Sequence, residues 1–143
     1  MAIIYNNNDT RYRFGNSRVI NRWLKGVAQS EGYQLVDLGV IFCSSEQLLQ
    51  INRDFLAHDY YTDIITFDSS DLAEGYVAGE LYIDVETVSD NAKEFGAAEL
   101  DEMHRVLVHG VLHLCGQGDK SEEDARQMRA KEDRYLAQLL DLM

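Results

Sequence analysis

Residues 99–119 read Glu99-Leu-Asp-Glu-Met-His-Arg-Val-Leu-Val-His109-Gly-Val-Leu-His113-Leu-Cys-Gly-Gln-Gly-Asp119, and this stretch decides the fold. Its apolar pattern predicts a helix buried in its C-terminal half, with acidic residues in the first turn, where the helix dipole favours negative charge. His109 and His113 are four residues apart, so their imidazoles project from one face of that helix. Two glycines then permit a turn that brings Asp119 back towards the histidines.

Two imidazoles and one carboxylate suit a divalent transition metal, and three protein ligands leave a fourth coordination position for water. We therefore predict a metal site of the catalytic kind formed by His109, His113 and Asp119, with one Zn²⁺ per chain and another divalent transition metal as the alternative. A structural interpretation stays open, in which the histidines are core residues with local hydrogen bonds and Asp119 is a turn residue or a helix cap.

The residue after the first histidine indicates which chemistry such a site would perform. Zinc proteases with an H-E-x-x-H helix place a glutamate general base there, whereas this chain has Gly110. A water molecule whose pKa is lowered by a bound metal ion can attack a phosphodiester. That attack needs less help from a general base than attack on a peptide bond does. The sequence thus favours phosphodiester chemistry over proteolysis.

The string from His109 to Asp119 resembles the signature of the YbeY family, bacterial metal-dependent endoribonucleases implicated in ribosomal RNA maturation. Residues 62–67, Thr-Asp-Ile-Ile-Thr-Phe, resemble the second motif of that family, and the spacing between the two blocks and the chain length also fit. The resemblance implies a zinc-dependent endoribonuclease that acts on single-stranded rRNA precursors in ribosome maturation and RNA quality control. It implies RNA and the ribosome or ribosomal proteins as partners.

Two positions depart from the family pattern. The third metal ligand is usually a histidine in the family, and Asp119 holds that place here. An arginine thought to contact phosphate usually precedes the Thr-Asp motif, and the corresponding residue here is Leu56. The nearest basic groups are Arg53, predicted as a phosphate contact, and His58, predicted as a proton donor or acceptor. Both are expected among the catalytic residues beside His109 and His113, although a solvated surface position is the alternative for each.

Two rival functions stay open from the sequence. The first is a metal hydrolase of another substrate, a peptide or a small molecule, which an acidic and narrow cleft would favour. The second is a ribosome-assembly factor whose metal is structural, which the missing arginine at Leu56 favours.

Length, cysteine content and apolar runs set the wider expectations. A chain of 143 residues predicts a single domain over residues 1–143, large enough for a sizeable core. Cys43 and Cys115 lie in apolar surroundings, which predicts packed, reduced thiols. Because no export signal or membrane-spanning run is recognisable, we expect a cytoplasmic protein without a membrane partner. The oligomeric state is left open.

The net charge of −12 argues against a general polyanion binder, but its distribution softens that objection. Acidic residues concentrate in residues 68–102 and 119–133, whereas an early basic group has almost no acids among it: Arg11, Arg13, Arg18, Arg22 and Lys25. An RNA-facing surface and a merely solvated stripe of an amphipathic helix are both compatible with this group.

The remaining patterns predict an α+β domain with a small four-stranded mixed sheet covered by about five helices. A resemblance to zinc-peptidase-like architecture implies that the helix carrying the histidines is a metal helix. The hairpin acids Asp63, Glu80 and Asp84 are those expected nearest the cleft, unless they simply face solvent. The predicted elements are a strand over 2–5, a helix opened by Ser17 over 17–30, a strand over 33–42 interrupted at Gly39, a helix after a Ser44–Gln47 capping box, a hairpin of strands 63–68 and 77–85, a helix over about 86–95, the metal helix, and a last helix from Ser121 to about Leu140.

Overall fold

The protein is represented by a computed structural model that describes residues 2–56 and 62–143, except for the side chains of residues 2 and 56. Four strands form one mixed sheet in the order β1-β2-β4-β3: β1 (Ala2–Asn7), β2 (Gln34–Cys43), β3 (Ile64–Asp68) and β4 (Tyr76–Asp84). Strands β1, β2 and β4 are parallel, and β3 pairs antiparallel with β4 at one edge. The predicted hairpin is confirmed, with a short 3₁₀ turn in its connection.

Five α-helices occur in the described part of the chain: α1 (Ser17–Ser30), α2 (Ser45–Leu56), α3 (Val85–Phe95), α4 (Glu99–Leu114) and α5 (Glu122–Leu142). This arrangement confirms the predicted α+β fold with a four-stranded mixed sheet and a metal helix, which is α4. None of the described helices is both long enough and apolar enough to cross a membrane.

The sheet separates two hydrophobic cores because successive strand residues point to opposite faces. On β2, Val40 and Phe42 contribute to the larger core, which α1, α4 and α5 cover, while Cys43 contributes to a smaller core beneath α2. Both cysteines are free and buried, and burial raises the pKa of the Cys43 thiol to about 11 and that of Cys115 to about 12. Their expected packing as thiols is confirmed.

Glycines let α4 approach the sheet closely where the predicted metal ligands begin and end. A Cβ at Gly110 would lie 2.9 Å from the side-chain methyl carbons of Ile64 and Leu81. On β4, a Cβ at Gly79 would lie 2.5 Å from the carbonyl oxygen of Phe67 and 2.9 Å from a methyl carbon of Leu114. At Gly79 the clash involves a backbone oxygen, so this position requires glycine, whereas at Gly110 the ends of the Ile64 and Leu81 side chains would have to shift to admit a Cβ.

Several local expectations differ from the structure. Strand β2 runs through Gly39 without a break, and its irregularity in pairing lies instead between Leu35 and Asp37. Ser17 is the first residue of α1, but its predecessor Asn16, in a left-handed conformation with φ 56°, holds the cap position. The backbone N–H of Gln47 donates to Ser44 Oγ at 3.2 Å, as expected for half of a capping box. Two apolar residues of the helices are exposed, Phe55 on α2 and Ala125 on α5.

Candidate metal centre

The three predicted ligands are positioned by the end of α4 and the loop that follows it. His109 and His113 lie in the last turns of the helix, and Gly116, with φ 93°, reverses the chain in the left-handed conformation. The N–H groups of Gly116 and Gln117 donate to helix carbonyls, which closes the helix end. The chain then passes through Asp119 to the cap of α5, so the turn that the glycines predict is present.

The ligand atoms converge on one point. Asp119 Oδ2 lies 3.4 Å from His109 Nε2 and 3.3 Å from His113 Nε2, and the three atoms lie within 4.8 Å of one another. These contacts are longer than a good N–H···O hydrogen bond, which spans about 2.7–3.2 Å. A tetrahedral ion bound at about 2.0–2.1 Å separates its ligand atoms by about 3.3–3.4 Å. The donor set and its spacing therefore fit a divalent metal ion.

The convergent atoms face a cleft that is open to solvent. The exposed fractions of the side chains are 24% for His109, 31% for His113 and 34% for Asp119, so the group is half-buried rather than enclosed. The cleft has a volume of about 430 Å³ and runs along edge strand β3. Its other lining residues are Asn52, Thr62, Asp63, Ile64, Ile65, Thr66 and Lys120. Solvent can reach the three side chains from this side.

A buried glutamate from α5 holds the first histidine from behind. Glu132 Oε2 lies 2.7 Å from His109 Nδ1, while the other oxygen, Oε1, accepts a hydrogen bond of 2.8 Å from Arg105. Arg105 also reaches Asp133, at 2.7 Å. Sequence analysis missed Glu132, because it lies in a run of charged residues that indicated a solvated helix face.

The charges around His109 reinforce this contact. Burial alone would lower the pKa of His109, but the hydrogen bond and charge of Glu132, followed by the charges of Asp119 and Asp63, raise it above the ordinary range. Burial likewise favours a raised pKa at Glu132, yet its hydrogen bonds to His109 and Arg105 leave that pKa lowered. Without an ion, these shifts favour the charged form of the pair, and metal binding at Nε2 would displace any proton carried on that atom.

The other predicted site residues are distributed unequally. Asp63 lines the metal cleft, and burial, partly offset by the charge of His109, raises the pKa of its carboxyl. Asp84 is fully buried and caps α3 through Thr87 instead. Glu80 is exposed and does not line the cleft.

Of the two predicted basic residues, Arg53 lies in the described part of the chain. Arg53 is exposed on α2 and does not line the cleft, although its neighbour Asn52 does, so its catalytic role stays a prediction. His58 lies outside the described residues. The basic side chain among the described lining residues is Lys120, which follows the third ligand directly.

Comparisons with known proteins find relatives that match nearly the whole chain. A family model described as endoribonuclease YbeY matches residues 3–140. A protein of Cytophaga hutchinsonii named endoribonuclease YbeY is 47% identical over 136 residues, covering 95% of this chain and 94% of that protein. One from Bacteroides thetaiotaomicron with the same name is 44% identical over 138 residues, covering 96% and 98%. The solution structure of a Thermotoga maritima protein superposes with a TM-score of 0.67 at 25% identity, covering 96% of this chain and 89% of the other.

Proposed function

Because this chain belongs to the YbeY family of endoribonucleases, we propose that it is a zinc-dependent endoribonuclease that cuts single-stranded rRNA precursors in ribosome maturation and RNA quality control. It would act in the cytoplasm, with the ribosome or ribosomal proteins as partners. The observation that carries the proposal is the convergence of His109, His113 and Asp119, because Asp119 Oδ2 lies 3.4 and 3.3 Å from the two Nε2 atoms, as neighbouring ligands of a tetrahedral ion do. Two imidazoles and a carboxylate favour Zn²⁺ among the common divalent ions.

The residues around the cleft support hydrolysis of a phosphodiester. A divalent ion at this site would stabilise negative charge on the phosphate and lower the pKa of a coordinated water. Asp63 lies in the same cleft, and a carboxyl with a raised pKa can carry a proton to or from the reacting oxygens. Residue 110 is glycine, so the helix lacks the general base that the H-E-x-x-H proteases carry next to the first histidine.

Lys120 is the residue to which we assign the phosphate contact near the ion. It is exposed, lines the cleft and adjoins Asp119, so its ammonium group can reach a phosphate held at the ligands. The position that usually carries the family arginine is Leu56, which cannot supply a positive charge. A lysine offers a point charge rather than a two-pronged contact, which suits a flexible single strand.

A second basic surface lies on α1. No aspartate or glutamate occurs between residues 10 and 30 in a chain whose net charge is −12. Arg18, Arg22 and Lys25 are all exposed along one side of the helix, and within the described structure none of them pairs with a carboxylate inside 4.0 Å. The adjoining surface depressions are lined by uncharged and basic residues only. This surface, which we call the α1 basic face, supports contact with the RNA backbone.

The decisive experiment is cleavage of a defined single-stranded RNA by zinc-loaded protein. We expect cleavage by the wild type, loss of cleavage after chelation with recovery on adding Zn²⁺, and no cleavage by His109→Ala. Wild-type protein that binds Zn²⁺ but cuts no RNA would contradict the proposal. The ends of the products identify the route, because attack by the ribose 2′-hydroxyl leaves a cyclic phosphate and direct attack by water does not.

The same preparation separates the rival functions. His113→Ala should abolish RNA cleavage while the fold and any ribosome association are retained. Joint loss of ribosome association and thermal stability would instead favour an assembly factor with a structural metal. Hydrolysis of peptides or small esters without RNA cleavage would favour the other hydrolase.

Charge reversals test where the RNA lies. Lys120→Glu should weaken RNA binding and cleavage together. The pair Arg18→Glu and Arg22→Glu should weaken binding and reduce its salt dependence by about one released counterion for each phosphate that is no longer neutralised. Charge reversal of Lys93, an exposed residue on α3, is the matched control. Unchanged binding with an unchanged salt slope would remove the α1 basic face from the interface.

A further inference from the structure

We propose that Glu132 is a positioning residue which fixes the tautomer of His109, so that the Nε2 lone pair faces the ion while the proton stays on Nδ1. The inference rests on the proposed metal site formed by His109, His113 and Asp119. Glu132 touches neither the ion's position nor the substrate, so its effect acts through the imidazole.

The contacts of His109 define the tautomer. An ionised carboxylate only accepts hydrogen bonds, so the contact of 2.7 Å between Glu132 Oε2 and His109 Nδ1 requires the proton on Nδ1. A neutral imidazole with its proton on Nδ1 has a free lone pair on Nε2, the atom that faces Asp119. Glu132 is 5% exposed, so little solvent competes for this contact.

The carboxylate is itself held in place from the opposite side. Arg105 donates to its Oε1 at 2.8 Å, and Arg129 Nη1 lies 3.6 Å from the same oxygen. A guanidinium group only donates, so the hydrogen bond from Arg105 requires an acceptor at this position, and the more distant Arg129 adds a second positive charge beside it. The orientation of the glutamate is therefore set by two arginines, and the orientation of His109 follows from it.

His113 lacks a comparable support. Among the described residues, its one polar contact is the Nε2 contact with Asp119, and no hydrogen bond to its Nδ1 is found. The two imidazoles are neighbours, with ring centroids 4.8 Å apart. The site therefore pairs one histidine whose tautomer is fixed with one whose tautomer is free to adapt.

An amide at position 132 should reverse the tautomer rather than merely weaken it. In Glu132→Gln, the arginines keep the amide oxygen on their side, so the NH₂ group must face His109. Since NH₂ only donates, Nδ1 becomes the acceptor and the proton moves to Nε2, where it blocks metal binding. In Glu132→Ala, by contrast, Nδ1 has no partner and both tautomers are accessible.

The test measures the tautomer and the metal affinity separately from catalysis. Long-range ¹H–¹⁵N NMR of the metal-free full chain at mildly alkaline pH should show His109 protonated at Nδ1 in the wild type and at Nε2 in Glu132→Gln. Affinity for Zn²⁺, measured by competition with a chromophoric chelator, should fall about 10–100-fold in Glu132→Gln. Asp133→Asn is the matched control, because it makes the same chemical change at the other partner of Arg105 without touching His109.

The order of the variants separates positioning from packing. We expect Glu132→Ala to bind Zn²⁺ more tightly than Glu132→Gln although it unfolds at a lower temperature, since it removes more packing. The inference is overturned if Glu132→Gln keeps the Nδ1 proton and binds Zn²⁺ as Asp133→Asn does, or if Glu132→Ala has the lower affinity. A wild-type chain that binds no Zn²⁺ would overturn the metal site instead, and the metal-free spectra alone would then decide the tautomer.

Discussion

Helix α5 contributes to two glutamate-centred clusters that look alike in their electrostatics. In the Glu132 cluster, the carboxylate meets Arg105 and His109 of α4. In the Glu31 cluster, the carboxylate at the end of α1 meets Lys131, Arg134 and Tyr135 of α5. In both, burial would raise the pKa of the glutamate, and hydrogen bonds with nearby positive charges leave it lowered.

The clusters differ in what lies beyond the carboxylate. The contacts of Glu31 join the end of α1 to α5, and Tyr135 is fully buried between these helices. The imidazole of His109 has a second nitrogen, which faces an open cleft and the carboxylate of Asp119. The Glu132 cluster therefore differs from the Glu31 cluster because His109 contacts Glu132 through Nδ1 and still directs Nε2 into the cleft.

The largest difference between the two clusters should appear when Asp119, the carboxylate on the cleft side of His109, is removed. Asp119→Ala should lower the affinity for Zn²⁺ by more than the roughly 10–100-fold expected for an outer partner, because a direct ligand is removed. The free energy of unfolding of the metal-free protein should change by no more than about 0.5 kcal/mol, since the site is half-exposed. Asp119→His is the matched control and should still bind Zn²⁺. Equal affinity in wild type and Asp119→Ala would show that the carboxylate is not a ligand.

A substitution in the Glu31 cluster should have the opposite effect, with a loss of stability and no change in Zn²⁺ affinity. Glu31→Gln should lower the free energy of unfolding by about 1–3 kcal/mol, because a largely buried charge-assisted network is weakened. Its Zn²⁺ affinity should equal that of the wild type, since the network does not touch the ligands. Urea unfolding and chelator competition measure the two quantities, with Glu94→Gln, an exposed residue on α3, as the control. A loss of Zn²⁺ affinity without loss of stability would contradict the assignment.

Acidity should erase that stability difference. The folded pKa of Glu31 is lowered from the ordinary value of 4.5, so its stabilising effect is complete above that pH and disappears as the pH falls through the folded value. Urea unfolding of wild type and Glu31→Gln at decreasing pH should therefore give curves that converge below about pH 4.5. A difference that stays constant into strong acid would mean that the charge of Glu31 is not the cause.

The smallest effect should come from the tyrosine hydroxyl. Tyr135→Phe removes the hydrogen bond from the hydroxyl to Glu31 but leaves Lys131, which lies 2.6 Å from the carboxylate. We expect a loss of about 0.5–1.5 kcal/mol in the free energy of unfolding and no change in RNA cleavage. A loss as large as that of Glu31→Gln would assign most of the network to the hydroxyl rather than to the ion pair.

The grouping of His109, His113 and Asp119 was predictable because its determinants are local in sequence. The spacing of His109 and His113 on a helix and the glycine turn to Asp119 need no knowledge of the rest of the chain. Glu132 was not predictable, because it is 23 residues from His109 and reaches it only where α4 and α5 pack together. Its neighbours Lys131 and Asp133 are also charged, so composition alone cannot say which of them is buried.

The fold was predicted with similar limits. Periodicity and caps identified each helix and strand, but they could not show that β2 passes through Gly39 unbroken or that Phe55 stays exposed. From the sequence, Gly110 indicated only that the glutamate general base of the H-E-x-x-H proteases is absent. Its second role, a close approach to Ile64 and Leu81, depends on how α4 lies on the sheet.

That close approach leaves little free space between α4 and the sheet. Gly110 adjoins His109, and a Cβ at Gly79 would meet Leu114, the residue after His113. A methyl group added at either position would therefore press on the contact between α4 and the sheet. Residues of β3 line the cleft that the imidazoles face. Core substitutions that change how α4 lies on the sheet are therefore expected to change the width of this cleft as well.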